Sequence, residues 1–358
     1  MSIPSQIKAI TVAPGGGPVI STVAPPTPRD GYVIVRTTAV ALNPTDWKAA
    51  ANRFGVDCTG CRVGCDYAGV VVQADKTPAG SRLKVGTRVA GMVHGVNKGQ
   101  PEDGAFAEYI VAKAGLQILI PDTLSDTAAA TLGVGISTVG QALYQTLGLP
   151  LPLPAPPASG KTILVYGGST ATGILGIQFA RLSGYRVVTT CSPRNFEYVK
   201  SLGADEVVDY SDPEVCAAKI REFAGGELDL VFDCVSTPEA IKISLSAMAP
   251  RGGKYVALMY VDQAAVKAIN PNVSVTTPFA YTIFGEAFEK FRRFKAVPED
   301  FEFGVKFWAI AEELLAAGKI EPARQDVNRG GKGLEGVLVG LEELKQNKVS
   351  GVKLVYTL

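Results

Sequence analysis

The stretch between residues 162 and 258 alternates short apolar runs with helical segments, and this alternation limits the possible folds more than any other feature of the chain. Strands that alternate with helices run parallel and are joined by right-handed crossovers. The pattern therefore predicts an α/β chain with a doubly wound sheet in this region. We predict strands at 162–166, 186–190, 206–210, 228–233 and 254–258, and helices at 171–183, 195–201, 213–223 and 238–248.

The first third of the chain has a different pattern. Residues 31–42 partly alternate apolar and polar side chains, as a half-buried strand does. Further short apolar runs at 68–72, 88–92 and 106–111 are separated by Gly, Pro and Asp. Short runs that are interrupted so often indicate a compact all-β unit.

Mixed elements flank the predicted sheet on both sides. Before it, a helix is predicted at 137–147, and a stiff, proline-rich loop follows at 148–161. After it, apolar residues at helical spacing predict a helix that ends near Gly318. A further helix is predicted at 334–345 and a final strand at 352–356.

Charge and composition exclude several classes of protein. The 35 basic and 34 acidic residues leave a net charge of +1, which gives no electrostatic reason to bind nucleic acid or an anionic membrane surface. No run approaches the ~20 apolar residues that cross a bilayer. Six cysteines are too few for a disulfide scaffold, and the N-terminus lacks the pattern of a signal peptide. We therefore expect a cytoplasmic protein with reduced thiols.

A glycine-containing turn follows the first strand of the predicted sheet. Its sequence is Gly167-Gly168-Ser169-Thr170-Ala171-Thr172-Gly173, with Thr170 at the middle position of a G-x-x-G-x-x-G turn. A turn of this kind places backbone N–H groups and a helix N-terminus around a pyrophosphate. We therefore predict a dinucleotide site that includes Ser169, Thr170, Ala171 and Thr172. The alternative is a tight βα turn without a ligand.

The end of the second strand indicates which dinucleotide binds. An NAD site usually places Asp or Glu there to hold the ribose 2′-hydroxyl, but no acid follows Thr190. Ser192 and Arg194 instead offer a hydroxyl and a guanidinium to a 2′-phosphate, so NADPH is the predicted cofactor. Tyr210 could contact the adenine or the phosphate, or simply pack. The predicted residues of this part of the site are Ser192, Pro193, Arg194, Asn195 and Tyr210.

Motifs spread along the chain resemble the medium-chain dehydrogenase/reductase superfamily. They are Asn43-Pro44-Thr45-Asp46, Gly64-Cys65-Asp66-Tyr67-Ala68-Gly69, Gly86-Thr87-Arg88-Val89 and Leu202-Gly203-Ala204-Asp205. The resemblance implies a β-rich, GroES-like catalytic domain formed by residues 1–134 and 280–358. It also implies a Rossmann NADPH-binding domain at 135–279.

A narrower resemblance rests on other residues. The turn at 167–172, Cys191-Ser192-Pro193-Arg194-Asn195-Phe196 and Thr282-Ile283-Phe284-Gly285-Glu286 are similar to the trans-acting enoyl reductases of fungal polyketide biosynthesis, the lovastatin type. The resemblance implies NADPH-dependent reduction of an α,β-unsaturated thioester. The acyl carrier domain of a partner reducing polyketide synthase, or of a synthase–nonribosomal peptide synthetase hybrid, would carry that thioester. Two alternatives stay open: a stand-alone NADPH-dependent quinone or enone reductase, and a non-catalytic NADPH-binding partner of a synthase.

The resemblance also implies roles for individual residues. Lys48 would face the nicotinamide ribose and the substrate, and Thr138, at a helix start, would hold the thioester oxygen. A surface lysine and a helix cap are the alternatives, and for the segment 282–286 the alternative is a hinge. The implied cofactor contacts are Thr45, Asp46, Trp47, Lys48, Leu258, Met259, Gly351 and Val352. The implied substrate contacts are Thr138, Val139, Gly140, Thr282, Ile283, Phe284, Gly285 and Glu286.

Metal binding is not expected. Zinc members of the superfamily use a Cys and a His-Glu pair, and this chain has Asn43 and Cys65-Asp66 in those places. Cys58-x-x-Cys61-x-x-x-Cys65 could nearly complete a tetrahedral site, but a fourth ligand is hard to find. His94, the only histidine, is expected to be an ordinary loop residue.

The resemblance implies a monomer as well. Pro250, Gly252 and Gly253 interrupt the approach to the predicted strand at 254–258. Because strands that pair across a sheet edge are usually regular, these residues favour a chain that does not dimerise through that strand.

Overall fold

The computed structural model describes residues 3–52, 55–74, 77 and 81–358. The chain divides into two compact units. The first unit comprises Met1–Ser137, Tyr281–Ala317 and Pro322–Leu358, and the second comprises Thr138–Ala280 and Gly318–Glu321.

The strands follow one another along both units. In chain order they are β1 (Ile7–Val12), β2 (Pro18–Val23), β3 (Tyr32–Ala41), β4 (Asp66–Gln73), β5 (Arg88–Met92), β6 (Tyr109–Lys113), β7 (Gln117–Leu119), β8 (Thr162–Tyr166), β9 (Arg186–Thr190), β10 (Glu206–Val208), β11 (Leu230–Asp233), β12 (Gly253–Ala257), β13 (Val273–Thr276), β14 (Phe288–Glu289), β15 (Arg293–Phe294), β16 (Gln325–Val327) and β17 (Lys353–Thr357).

The α-helices lie between these strands along the chain, and they alternate with single strands from β8 to β13. They are α1 (Pro44–Ala50), α2 (Asp126–Ala129), α3 (Gly133–Val139), α4 (Ala171–Leu182), α5 (Phe196–Ser201), α6 (Pro213–Phe223), α7 (Pro238–Ala247), α8 (Gln263–Ile269), α9 (Pro298–Ala316) and α10 (Gly333–Lys345). A π-helical segment, Gly140–Leu147, continues α3, and short 3₁₀ turns lie at Ala114–Leu116, Pro193–Asn195 and Ala280–Phe284. No helix of the described residues is long and apolar enough to cross a membrane.

The second unit has the doubly wound sheet that strand–helix alternation predicts. Its strands are parallel, in the order β10-β9-β8-β11-β12-β13. The chain reverses its direction across the sheet between β8 and β11, and ligands of such sheets bind beyond the carboxyl ends of the strands at this point. The turn with Gly167 follows β8, so the fold puts the predicted dinucleotide turn at this switch point.

One edge of this sheet differs from the prediction. β12 lies between β11 and β13, so the strand that follows Pro250, Gly252 and Gly253 is internal and offers no pairing edge. The edge strand is β13, only four residues long, whose alternation of buried and exposed side chains is too brief to stand out in the sequence. The sequence argument against pairing is therefore wrong, and only the resemblance supports a monomer.

The first unit is built mainly on antiparallel strands, and only β16 and β17 pair in parallel among its described strands. Its seven-stranded sheet has the order β16-β17-β3-β4-β5-β7, with β6 also paired to β3. β1 and β2 form a separate hairpin, as do β14 and β15. The last strand of the chain, β17, pairs with β3 from the first third. This pairing brings residues near the C-terminus, including Lys353, into the core of the β-rich unit.

Candidate functional site

The turn between β8 and α4 presents a helix N-terminus at the carboxyl edge of the sheet. Gly167 N–H donates to Thr190 Oγ1 at 3.0 Å, and Gly168 N–H donates to the Thr190 carbonyl at 2.9 Å. These bonds tie the turn to the end of β9. The N–H groups of Ala171 and Thr172 are the first two of α4, and first-turn N–H groups have no acceptor inside a helix. They are the donors that this turn offers to a pyrophosphate.

Close packing explains the glycines of this turn. A Cβ atom at Gly168 would lie 2.1 Å from Thr189 Oγ1, and one at Gly173 would lie 2.2 Å from the Gly167 carbonyl oxygen. Thr170 stands at the middle position because its hydroxyl caps α4: it accepts from Gly173 N–H at 3.0 Å and donates to the Gly167 carbonyl at 2.8 Å. The Thr170 hydroxyl therefore stabilises the turn itself.

Polar groups of the right kind for a phosphate lie beyond β9. Ser192 Oγ is 3.1 Å from Tyr210 Oη, so the two hydroxyls lie side by side. Tyr210 is 43% exposed, and Arg194 is exposed as well. Asn195 is buried, and its Nδ2 has no hydrogen-bond partner among the residues that the structure describes. Two hydroxyls and a guanidinium, at the place where the sequence of an NAD site has an acid after the second strand, fit a phosphorylated ribose better than a free 2′-hydroxyl.

The loop after β12 is tied to the loop after β11. Leu258 and Met259 N–H groups both donate to Ser236 Oγ, at 3.1 and 3.3 Å. Ser236 N–H in turn donates to Asp233 Oδ1 at 2.9 Å, and burial raises the pKa of the Asp233 carboxyl. The backbone donors of Leu258 and Met259 are thus used within the unit. The side chain of Met259, which is 45% exposed, is what this loop offers to a ligand.

Helix α1 carries the predicted catalytic lysine on the first unit. Asn43 and Asp46 form a capping box at its start, in which Asn43 N–H donates to Asp46 Oδ2 at 2.7 Å. Asp46 is 2% exposed, and burial raises its pKa to about 7, so its side chain belongs to the interior and not to a cofactor surface. Thr45 Oγ1 lies 2.9 Å from Tyr281 Oη. Lys48 is half-buried, with Nζ 5.9 Å from the centre of the Trp47 ring.

A buried ion pair stands beneath α1. Lys353 Nζ donates to Asp66 Oδ2 and, at 3.0 Å, to Asn43 Oδ1, and Asn43 Nδ2 donates to Asp66 Oδ2 at 2.9 Å. The Thr131 carbonyl also accepts from Lys353 Nζ at 3.2 Å. The Asp66 and Lys353 side chains are 0% and 2% exposed. Because Gly351 and Val352 directly precede Lys353, the same network anchors two predicted cofactor residues together with the start of α1.

The same aspartate determines where α3 begins. Asp66 Oδ1 accepts from Val134 N–H at 2.6 Å, and a Cβ atom at Gly133 would lie 2.5 Å from that oxygen. Helix α3 therefore starts at Gly133, and the predicted helix start and cap at Thr138 are wrong. Thr138 is buried in the last turn of α3, just before the chain becomes π-helical at Gly140, an irregularity that is frequent at functional sites. At this position the chain therefore offers the Thr138 hydroxyl, and not a first-turn backbone N–H, as a possible hydrogen-bond donor.

The polar side chains of the segment 282–286 have partners within the first unit, which its largely apolar sequence does not predict. Thr282 Oγ1 donates to Asp300, and Glu286 accepts from Tyr32 and forms an ion pair with Lys113. These polar contacts hold the segment on the first unit. Ile283 and Phe284 are 1% and 4% exposed, and Gly285 has a φ of +69°. Any acyl contact by this segment would involve its apolar atoms.

His94 lies in a loop, as predicted, but it is not an ordinary loop residue. It is 4% exposed, and its ring stacks on Tyr281 at 4.3 Å and lies 5.0 Å edge-on from Phe288. Burial lowers its pKa well below the usual range. A neutral, enclosed imidazole packs as an aromatic ring here, against Tyr281 and Phe288.

We expect elemental analysis of protein purified without chelator to find no stoichiometric metal. Among the residues that the structure describes, no three or more His, Cys, Asp or Glu side chains are grouped as metal ligands. The Lys353 ammonium already bonds to Asn43 and Asp66, the residues at two of the expected ligand positions. One zinc per chain that is lost in Cys61→Ser would contradict this prediction.

Sequence reasoning missed three residues of this region. Lys353, Tyr281 and Trp308 carry no motif, yet Trp308 Nε1 donates to Ser137 Oγ at 3.2 Å next to Thr138. The only signal for Lys353 is a charge at the start of the apolar run that becomes β17. A lysine in such a place often has a buried partner.

Comparison with known proteins gives matches over most of the chain. A family model described as an alcohol dehydrogenase GroES-like domain matches residues 29–122, and one described as a zinc-binding dehydrogenase matches residues 171–296. The chain is 44% identical over 350 residues to trans-enoyl reductase ACTTS2 of Alternaria alternata, and the alignment covers 98% of each protein. It is 43% identical over 364 residues to trans-enoyl reductase resD of Aspergillus sclerotiorum, and the alignment covers 97% of this chain and 98% of the relative.

Among solved structures, the mycobacterial protein Rv1454c complexed with NADPH has the same fold. The TM-score is 0.71 at 23% identity, and the match covers 98% of this chain and 100% of the other.

Proposed function

Because the chain belongs to the trans-enoyl reductases of the medium-chain dehydrogenase/reductase superfamily, we propose that it uses NADPH to reduce the α,β-unsaturated thioester of a polyketide intermediate. Membership makes it an oxidoreductase that acts on a carbon–carbon double bond. The observation that carries the cofactor choice is the end of β9, where the chain has Ser192 and Arg194 in place of the acid of an NAD site, and where Tyr210 Oη lies 3.1 Å from Ser192 Oγ. NADPH is also the ligand of the mycobacterial protein of the same fold.

The proposed cofactor residues form two groups, which would bind different parts of the dinucleotide. The N–H groups of Ala171 and Thr172 would bind the pyrophosphate, and Ser192, Arg194 and Tyr210 would bind the 2′-phosphate. NADPH, when bound, supplies the hydride. The protein's own part in such a reaction is to orient the reactants and to stabilise the charge that develops on the substrate.

Replacing Arg194 by alanine should weaken NADPH binding about ten- to a hundredfold and leave NADH binding almost unchanged. A hydrogen bond to a charged group contributes about 1.5–3 kcal/mol, and only NADPH offers the 2′-phosphate to Arg194. Isothermal titration with each dinucleotide measures both affinities. Arg186→Ala, which removes an exposed arginine at the start of β9, is the matched control. Equal affinity of the unsubstituted protein for the two dinucleotides would overturn the assignment.

We assign roles in the chemical step to two side chains. Hydride addition at the β-carbon leaves an enolate oxygen, which needs a hydrogen-bond donor. Thr138 supplies a hydroxyl, and Lys48, half-buried on α1, supplies an ammonium that would orient the ribose and stabilise the enolate. Solvent can provide the proton for the α-carbon.

The partner in this proposal is a reducing polyketide synthase, or its hybrid with a peptide synthetase, whose acyl carrier domain presents the thioester in the cytoplasm. The relatives' name, trans-enoyl reductase, describes an enzyme that acts on a substrate held elsewhere. A carrier domain needs access to the enzyme and not a second copy of it.

Light scattering at micromolar concentration should therefore give a monomer mass. Dimerisation through the exposed edge of β13 would extend the sheet of the second unit and is the arrangement to test against. A stable dimer mass that Val275→Pro reduces to a monomer mass would contradict the prediction.

A substrate comparison tests the proposed function. Purified protein with NADPH should reduce enoyl thioesters much faster than simple quinones, and Lys48→Ala should lower this turnover more than it lowers NADPH affinity. Faster reduction of quinones would favour a stand-alone quinone reductase.

A further inference from the structure

Two cysteines of the first unit meet in a tight turn that the proposed reaction does not use. Cys58 and Cys61 are the first and last residues of this turn, and Cys61 N–H donates to the Cys58 carbonyl at 2.9 Å. Gly60, the third residue, has a φ of +82°, which glycine adopts without strain. The turn is fixed to β1, because Gly60 N–H donates to the Val12 carbonyl and Val12 N–H donates to the Cys61 carbonyl, at 2.8 and 2.9 Å.

This geometry suits a disulfide. The end residues of a β-turn have Cα atoms less than about 7 Å apart, and a disulfide joins Cα atoms about 4.4–6.8 Å apart. Both thiols are reduced, and the two side chains are hydrogen-bonded to each other. The spacing of the two residues across the turn is therefore compatible with a bond between their sulfur atoms.

The surroundings make the two thiols unequal. Lys290 Nζ, held by the Gly95 and Val96 carbonyl oxygens at 3.2 and 2.7 Å, lies on the first unit where its charge favours the thiolate of Cys58. The Cys61 thiol donates to Cys58, and with Lys290 and Lys98 it lowers the pKa of Cys58 to about 7. Asp57 opposes this shift, and the pKa of Cys61 is raised. Cys58 is 5% exposed, but Asp57, Thr59 and Gly60 around it are solvent-exposed.

We propose that Cys58 and Cys61 form a redox-active dithiol that a hydroperoxide oxidises to an intramolecular disulfide. The Cys58 thiolate attacks the peroxide O–O bond, and a sulfenic acid forms at Cys58 as the leaving oxygen departs as hydroxide or alkoxide. The Cys61 sulfur then attacks the Cys58 sulfur, the S–S bond forms and water leaves. Two thiols are oxidised by two electrons, and one hydroperoxide is reduced to water and an alcohol, or to two waters from hydrogen peroxide.

Oxidation would also alter the contacts of a neighbouring loop. Cys61 Sγ lies 3.7 Å from the Asn97 carbonyl oxygen, to which its S–H group donates when it does not bond to Cys58, and Lys290 bonds to the two residues before Asn97. The disulfide removes that S–H donor and the negative partner of Lys290. The loop at 95–97 is therefore the part of the first unit that senses the oxidation state of the pair.

Mass spectrometry of the full-length protein tests the proposal. After brief treatment with hydrogen peroxide, the protein is unfolded in alkylating reagent and digested with trypsin, which releases residues 54–62 with Cys58 and Cys61 as their only cysteines. We expect this peptide to be about 2 Da lighter than its reduced form and to take up no reagent. It should form at least about tenfold faster than Cys191 or Cys216 is oxidised, because burial raises the pKa of those thiols to about 11 and 12. Dithiothreitol should restore the reduced peptide.

Two variants test the roles that we propose for Cys61 and Lys290. Cys61→Ser should accumulate a sulfenic acid at Cys58 that a cyclic 1,3-dione traps, and Lys290→Met should slow the oxidation of Cys58. The measurement on the unsubstituted protein decides the matter even if a variant does not fold. Peptide 54–62 that stays reduced while Cys191 is oxidised, or that gains oxygen without forming a disulfide, would overturn the proposal. Neither result depends on the reductase activity.

Discussion

Replacing Lys353 by methionine should lower the free energy of unfolding of the first unit by about 3–5 kcal/mol. The substitution keeps the length of the side chain but leaves the fully buried Asp66 carboxylate without its ammonium partner. It also removes a donor to Asn43 and to the Thr131 carbonyl. Removing one member of a buried pair is far more harmful than losing an exposed one, because the remaining charge has no solvent around it. This effect is the largest that the structure predicts for a single side chain.

Urea unfolding followed by tryptophan fluorescence measures this loss selectively. The chain has two tryptophans, Trp47 and Trp308, and both belong to the first unit. Lys345→Met is the matched control, because its ion pair with Glu342 is exposed to solvent and should contribute little to stability. Adding Asp66→Asn to Lys353→Met should recover part of the stability. A loss below about 1 kcal/mol in the single variant would show that the buried network contributes little.

Replacing Thr138 by valine should slow enoyl reduction about a hundredfold without weakening NADPH binding. Valine keeps the shape of threonine but cannot donate to an enolate oxygen, and one lost donor of this kind costs about 3 kcal/mol. Steady-state kinetics with an enoyl thioester measure the loss, and titration with NADPH measures the affinity. Thr146→Val is the control: its hydroxyl donates to the Gln141 carbonyl in the π-helical segment, and we expect unchanged turnover.

The kinetic pattern distinguishes a catalytic role from a structural one. If Thr138 acts on the enolate, kcat and kcat/KM should fall together, because that interaction exists only in the transition state. A Thr138→Val variant that reduces the thioester at the unsubstituted rate would remove Thr138 from the mechanism. The family assignment and the cofactor would stand in that case.

Local pattern was enough to predict the second unit. Strand–helix alternation predicted the parallel sheet, and five of its six strands lie where apolar runs predict them, with ends that differ by up to two residues. The glycine turn and the polar residues after β9 follow from the order of residues along the chain alone. The sequence did not predict β13, because four residues show too little periodicity. Since β13 is the edge strand of the sheet, the sequence argument about pairing is wrong.

Long-range contacts account for what the sequence could not predict in the first unit. The start of α3 is determined by Asp66, 68 residues before Val134, so nothing near Thr138 indicates that the helix begins earlier. Lys353 meets Asp66 across 287 positions of the chain, and Thr45 meets Tyr281 across 236. Each contact depends on the pairing of β17 with β3 or on the return of the chain to the first unit after residue 280. The identity of the buried partners therefore appears only in the folded protein.

The most direct test of the proposed function uses an enoyl thioester on an acyl carrier domain, NADPH and the purified protein. Absorbance at the nicotinamide band follows NADPH, and mass spectrometry of the carrier follows the acyl chain. We predict that one NADPH is consumed for each thioester, which gains two hydrogens, and that NADH supports much slower turnover. A protein that binds NADPH but leaves every enoyl thioester unreduced would contradict the account and indicate a non-catalytic partner of the synthase.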